Sequence, residues 1–203
     1  MVSVYSFKSK FQALLRPISD GCANLGISAN TVTVAALILS GAVGCAVGIL
    51  TPYNRLWYLI LPFALFLRMA LNAIDGMIAR EHNQKTALGA ILNELGDMLA
   101  DCLIYIPFWY ALGADWPLIT VFSVLALMSE AVGIMGIQIG ASRRYDGPMG
   151  KSDRAFWTGA AALIAAFYVI PHQTVCVMLA VVCLLLIYTI INRIFGALRE
   201  VKK

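Results

Sequence analysis

Apolar residues run along this chain in six long blocks, roughly 31–50, 56–74, 88–112, 117–139, 155–170 and 175–195, parted by short polar segments. Most of the blocks match the ~20 helical residues needed to cross ~30 Å of hydrocarbon; the fifth is the shortest. None alternates strictly between apolar and polar positions, so helices, not barrel strands, are predicted. Ahead of the blocks, Val4, Phe7, Phe11, Leu14, Leu15 and Ile18 recur at helical spacing, with Lys8, Gln12 and Arg16 opposite them. That pattern predicts an amphipathic helix on the cytoplasmic membrane surface, with a disordered leader as the alternative. A short apolar core with a small-residue cleavage site is missing, which argues against a signal peptide. The expected fold class is therefore an all-α integral membrane protein. One membrane domain spans 1–203, divided into an N-terminal amphipathic segment, 1–29, and a six-helix transmembrane bundle, 30–203.

Composition narrows the class. Hydrophobic residues make up 61% of the chain and charged residues 13%, and the mean hydropathy is +0.81. A soluble globule carries about a quarter charged residues, so that class is excluded. The net charge of +4 is small; its placement matters more. With both termini in the cytoplasm, that side gathers Lys8, Lys10, Arg16, Arg80, Lys85, Arg143, Arg144, Lys151, Arg154, Arg193, Arg199, Lys202 and Lys203. Arg55 alone is left on the far side, and Arg68 lies inside the second span. This is a strong positive-inside bias, and it requires an even number of spans. The expected location is an inner membrane of a bacterium.

Five cysteines, mostly intramembrane, imply no disulfide framework and read as small packing residues. Gly44-x-x-x-Gly48 and Gly136-x-x-x-Gly140 allow close helix approach, inside the bundle or across a dimer seam. A homodimer in membrane lipid is the expected assembly, and nothing calls for nucleic acid.

Five of the 11 acidic side chains fall in one stretch, "NAIDGMIAREHNQKTALGAILNELGDMLAD", residues 72–101. On one helix Arg68, Asn72, Asp75 and Ala79 share a face at steps of three or four. On the next, Gly89, Asn93, Asp97 and Asp101 recur every four residues. A short connection makes the two helices antiparallel neighbours, so the polar lines can face each other near the cytoplasmic end. Intramembrane carboxylates are costly unless paired or hydrated, and converging ones repel. A divalent cation relieves both effects. Oxygen donors without histidine or thiolate suit a hard ion, Mg²⁺ or Mn²⁺. A metal cleft facing the cytosol at a membrane surface suggests phosphoryl chemistry on an amphiphilic substrate.

The run Asp75-Gly76-x-x-Ala79-Arg80, eight residues, Gly89, three residues, Asn93, three residues, Asp97 resembles the signature of the CDP-alcohol phosphotransferases. That signature is D-x-x-D-G-x-x-A-R, eight residues, G-x-x-x-D-x-x-x-D. The six-helix plan, the N-terminal helix and the Asn30-Thr31-Val32-Thr33 opening of the first span are similar to that family as well. The resemblance implies transfer of a phospho-alcohol group from a CDP-alcohol, CDP-diacylglycerol above all, to the hydroxyl of a small alcohol, releasing CMP. It implies that Asp75, Asp97 and positions 72 and 93 hold one or two Mg²⁺ or Mn²⁺ ions, with Asp97 also the general base. It further implies that Gly76, Ala79, Arg80, Gly89, Asn30 and Thr33 surround the nucleotide.

Two positions depart from the signature: Asn72 and Asn93 stand where it has aspartate. An amide carbonyl can ligate a hard cation but brings no charge, so four formal negatives become two. Three readings stand open: an active subgroup with altered metal use, an inactive relative that binds the nucleotide-lipid without turnover, or a deliberately silenced site. Asp101 and Arg68 are candidates for an outer shell, with Asp101 alternatively a ligand or an ion-pair partner of Arg68.

A second polar cluster, "ASRRYDGPMGKSDRAFW" (141–157), holds Arg143, Arg144, Lys151 and Arg154. These either bind a phosphate of acceptor or donor, as in relatives with phosphorylated acceptors, or anchor the chain at headgroup level. Gly150-Lys151-Ser152 is not a P-loop, since Tyr145 replaces the required glycine. His82 reads as a solvated loop residue and His172 as a loop cap on the opposite side. Trp57, Tyr58, Trp109, Tyr110 and Trp116 read as an aromatic belt. A small transporter running along Arg68, Asp75, Asp97 and Asp101 is a weaker alternative, because residues 103–112 carry almost no polar groups.

Overall fold

Seven α-helices and no strand make up the described residues, 4–202, of a computed structural model, with side chains described from residue 11 onward. They are α1 (Val4–Asn24), α2 (Ala29–Leu50), α3 (Ile60–Glu81), α4 (Ala87–Ala111), α5 (Trp116–Gln138), α6 (Lys151–Phe167) and α7 (His172–Val201), with a 3-10 turn over Arg55–Leu59. The six helices expected after residue 30 are all present. Four segments are long and apolar enough to cross a membrane: Ala29–Leu50, Arg55–Glu81, Trp116–Gln138 and His172–Val201. Helix α4 has the length, at 25 residues, but Glu94, Asp97 and Asp101 interrupt its apolar character. Helix α6 has only 17 residues.

The chain forms two compact units, one from Met1–Ala42 with Phe63–Ala100, the other from Val43–Pro62 with Asp101–Lys203. In the first unit Leu15, Ala29, Val32, Ala70, Ile74, Met77 and Ile78 form a buried core joining α1, α2 and α3. The helix starts are fixed by short side chains at their caps. Ser28 Oγ accepts from Thr31 N at 3.1 Å to cap α2, and Thr86 Oγ1 accepts from Gly89 N at 2.9 Å to cap α4. Between α3 and α4 the chain reverses in a few residues through Asn83, at φ +56°, a conformation asparagine tolerates better than most. Gln84 Oε1 in the same turn accepts from Ala29 N at 3.0 Å. The turn therefore holds the start of α2 beside the ends of α3 and α4.

Helix α1 packs Leu15 inward and leaves Leu14 and Ile18 exposed, so the apolar face expected of it is divided between the protein core and the surroundings. Arg16 bonds Glu81 at 3.0 and 3.2 Å. Val4, Phe7 and Lys8 of the expected pattern lie outside the residues whose side chains are described.

In the second unit α5 packs along α7, and α6 against the 3-10 turn. Tyr58, Tyr105, Phe108, Trp109 and Phe122 meet edge to face at centroid distances of 5.2–6.3 Å, a favoured geometry for aromatic quadrupoles. Tyr58 and Trp109 are buried, whereas Trp57, Tyr110 and Trp116 are exposed. The aromatic belt thus loses two members to the core. A Cβ on Gly44 would stand 1.8 Å from Leu103 O, and one on Gly48 would stand 3.4 Å from Pro107 Cβ. This glycine pair serves packing of α2 on α4 inside the chain, the first of the two uses expected for it. In Gly136-x-x-x-Gly140 only the first glycine faces another helix: a Cβ on Gly136 would stand 3.6 Å from Ala197 Cβ on α7. Gly140, at φ +84°, ends α5, and the Ala141 N–H donates back to Gly136 O at 3.0 Å, in the manner of a Schellman cap.

Candidate active site

Helix periodicity puts Arg68, Asn72 and Asp75 on one face of α3, and within the first unit that face meets α2 and α4. Asp75 is 4% exposed, and its Oδ2 accepts from Thr33 Oγ1 on α2 at 2.8 Å. The same hydroxyl lies 3.1 Å from Ala29 O. Having one proton, it gives the shorter contact to the carboxylate, since bonds to ionised acceptors are stronger. Asp97 on α4 is gripped from α3. Asn72 Nδ2 donates to Asp97 Oδ1 at 2.8 Å, while Arg68 Nη2 donates to Asp97 O at 3.0 Å and stands 3.5 Å from Oδ1. A carboxylate only accepts, so the amide nitrogen of Asn72 is the atom that must face it.

Two glycines of the spacing have distinct local reasons. A Cβ on Gly89 would lie 2.7 Å from Asn30 Oδ1 and 3.0 Å from Thr86 Oγ1, so the missing side chain lets α4 start against α2. A Cβ on Gly76 would lie 3.0 Å from Arg80 Nη1, because Arg80 folds back over its own helix. Asn93 is half-buried on α4, one turn before Asp97, and Ala79 is half-buried beside the core. The structure thus brings Thr33 to Asp75, Asn72 and Arg68 to Asp97, and Asn30 to Gly89.

The donors near Asp75 and Asp97 are carboxylates, amides and a hydroxyl. By donor chemistry this set fits a hard divalent cation. It carries half the formal negative charge of a four-aspartate set.

In the second unit the arginines expected to meet phosphate are held by acids. Arg154 is 2% exposed and donates through Nη2 to Asp101 Oδ2 at 2.6 Å and Glu130 Oε1 at 3.1 Å. Its Nε reaches Asp101 Oδ2 at 3.2 Å, and its Nη1 reaches Ser129 Oγ and Met149 O at 3.3 and 3.2 Å. Arg193 adds a contact to Glu130 Oε1 at 3.5 Å and a bond to Ser129 O. Within the second unit Asp101 thus pairs with Arg154, as within the first Arg68 pairs with Asp97. Arg144 donates to Asp146 at 2.8 and 2.9 Å and to Glu200. The hydrogen bond to Asp146 is the main cause raising the Arg144 pKa above its ordinary value. Arg143 lies over the Tyr145 ring at 5.1 Å and 3.7 Å from Glu130 Oε2. Lys151 starts α6 and is half-buried.

No motif spacing marks Glu130, Ser129, Asp146, Glu200, Gln84 or Thr86, and Arg193 stands out only as one of the cytoplasmic cations. One signal was available: a glutamate in the apolar run of α5 demands a partner. His82 Nε2 lies 3.0 Å from Asp20 Oδ1, a more specific contact than a solvated loop residue would make.

Against known proteins, the model of the family described as CDP-alcohol phosphatidyltransferase matches residues 26–199. "Inner membrane protein YnbA" of Escherichia coli (strain K12) is 39% identical over 192 residues, 95% of this chain and 94% of that protein. A phosphatidylinositol phosphate synthase of Mycolicibacterium smegmatis is 28% identical over 137 residues, 65% of this chain and 59% of that one. The fold is similar to that of Mycobacterium tuberculosis phosphatidylinositol phosphate synthase solved with CDP-DAG bound, at TM-score 0.70 and 19% identity, covering 91% of this chain and 94% of that one. A second structure of the same synthase, in complex with manganese and citrate, matches at TM-score 0.68 and 19% identity over 90% of this chain and 88% of that one.

Proposed function

We propose, on the premise that the chain belongs to the CDP-alcohol phosphatidyltransferase family, that it moves the phosphatidyl group of CDP-diacylglycerol onto the hydroxyl of a small alcohol. The acceptor oxygen attacks the phosphatidyl phosphorus, the P–O bond to the CMP phosphate breaks, and the acceptor proton passes to Asp97. The observation that carries this reading is the grip on Asp97. Asn72 and Arg68, on the neighbouring helix, hold its carboxylate and its backbone carbonyl, as a general base needs to be held. Thr33 orients Asp75 in the same way. Asp75, Asp97 and the amide oxygens of Asn72 and Asn93 are the donors for Mg²⁺ or Mn²⁺, which when bound supplies neutralisation of pyrophosphate charge. Asn30, Gly76, Ala79, Arg80 and Gly89 line the nucleotide side. The CDP-DAG and manganese in the neighbouring structures support the choice of donor and ion. All six helices α2–α7 cross the membrane in this reading, α1 lies on its surface, and both termini and the site face the cytoplasm of a bacterial cell. Arg143 and Lys151 serve as phosphate contacts or headgroup anchors, and two chains pair as a homodimer.

A second reading, binding without turnover, is favoured by one observation: the Asn72 amide satisfies Asp97 where the family signature has a mutually repelling carboxylate. Release of CMP by the purified protein, given CDP-diacylglycerol, Mg²⁺ or Mn²⁺ and a panel of alcohols including phosphorylated ones, separates the two. Metal-dependent release with one acceptor, lowered about 10²–10⁴-fold in Asp97→Ala, is the expected result. Donor binding without release from any acceptor would establish the second reading instead, and undiminished release by Asp97→Ala would remove the base assignment.

A further inference from the structure

Asp115, His172 and Cys176 stand together in the second unit, where α4 gives way to α5 and α6 to α7. None of them has a part in the chemistry above. We propose that they form a Zn²⁺ site with three protein ligands and an open fourth position.

The distances fit the ion. His172 Nε2 is 3.7 Å from Asp115 Oδ2, Cys176 Sγ is 3.4 Å from the same oxygen, and Cys176 Sγ is 3.8 Å from His172 Nε2. Bonds of about 2.0–2.3 Å in a tetrahedral centre hold the donors roughly 3.3–3.6 Å apart. The three edges are within a few tenths of an ångström of that, and because Cys176 Sγ stands almost equally far from Nε2 and Nδ1, at 3.8 and 3.9 Å, a turn of the Cys176 and His172 side chains brings all three donors onto one ion.

The orientation of each ligand points the same way. His172 Nδ1 lies 2.8 Å from Gly113 O. A carbonyl only accepts, so Nδ1 carries the proton and Nε2 keeps its lone pair free for an ion; a ligating histidine usually donates its remaining ring N–H in this way. Asp115 sits at the N-cap of α5, where its carboxylate would ordinarily bond a backbone N–H, yet it makes no such bond. It is turned toward His172 and Cys176 instead. His172 and Cys176 are four residues apart at the start of α7, one above the other on a single face. Sulfur, imidazole and carboxylate together are a zinc-type donor set, distinct from the all-oxygen set suited to Mg²⁺. Asp115 and His172 are exposed and Cys176 is half-buried, which gives the ion a path in from solvent and leaves room for water at the fourth position.

Cobalt titration of the full-length protein, purified in detergent and stripped with chelator, tests the site. About one Co²⁺ per chain should bind with a thiolate-to-cobalt charge-transfer band, and Zn²⁺ should displace it. Cys176→Ser should abolish the band, and His172→Gln and Asp115→Asn should each weaken binding at least about tenfold, with helix content unchanged by circular dichroism. The Asp75→Asn, Asp97→Asn double variant should keep the band, which separates this site from the oxygen cluster of the first unit. Absence of a thiolate band in the parent protein, or its persistence in Cys176→Ser, would overturn the proposal.

Discussion

Asn72→Asp restores the family residue at one of the two departures, and the surrounding geometry fixes what it should do. Asn72 Nδ2 stands 2.8 Å from Asp97 Oδ1. The substitution removes a hydrogen bond to a charged group, about 1.5–3 kcal/mol, and sets two negative charges roughly 4 Å apart. At an effective dielectric constant near 20, that repulsion is about 4 kcal/mol. Arg68 Nη2, 3.5 Å from Asp97 Oδ1, offsets part of it. Without a divalent ion the variant should therefore be destabilised by about 4 kcal/mol. For a chain of this length that is a drop of roughly 8–16 °C in Tm. A cation placed between the carboxylates converts repulsion into coordination, so Mn²⁺ or Mg²⁺ should raise the Tm of the variant far more than that of the parent. Thermal unfolding in detergent, with EDTA and with Mn²⁺, measures both effects. If variant and parent melt together in EDTA, or gain the same increment from Mn²⁺, the side chain at position 72 does not face the ion and the reasoning fails.

Three further outcomes follow from contacts in the two units. Gly44→Ala drives a methyl to 1.8 Å from Leu103 O, whereas Gly48→Ala makes an ordinary contact at 3.4 Å; the first should cost more than the ~1–3 kcal/mol of typical overpacking and the second little, read as yield and thermal stability in detergent. Gly89→Ala should lose about 1–3 kcal/mol against Asn30 and Thr86, while Gly76→Ala, which meets only the movable end of Arg80, should be neutral or slightly stabilising through helix propensity. Arg154→Met strips a buried cation from Asp101 and Glu130, so a loss of about 3–5 kcal/mol is expected; Arg154→Lys should rescue little, since one ammonium cannot reproduce the guanidinium fork, and denaturant unfolding of both variants checks the pair.

Much of the helical plan was legible because in lipid the backbone must satisfy itself, which leaves apolar blocks few options. The block over 88–112 became α4 at Ala87–Ala111, and that over 117–139 became α5 at Trp116–Gln138. Two ends moved for local reasons. Helix α3 starts at Ile60, after Asn54 caps a 3-10 turn by accepting from Leu56 N at 2.9 Å. Helix α7 starts at His172, directly after Pro171, because proline suits a position before or at the first turn. The place of Trp109 at a helix end is compatible with either a surface belt or a core, and only its edge-to-face packing on Phe108 and Phe122 makes it core.

By itself the sequence determined the elements and the faces: helical periodicity fixes that Asn72 and Asp75 share one line and that Asn93, Asp97 and Asp101 share another. Which charges neutralise one another was decided only by the tertiary structure. Asp97 and Asp101 differ by a single turn of one helix, yet Asp97 is held by Arg68 and Asn72 and Asp101 by Arg154, 53 residues further along. Nor does any spacing rule connect Asp115 to His172 and Cys176. Periodicity sets directions around one helix axis, while the depth and rotation of each helix against its neighbours come from packing of side chains distant in sequence.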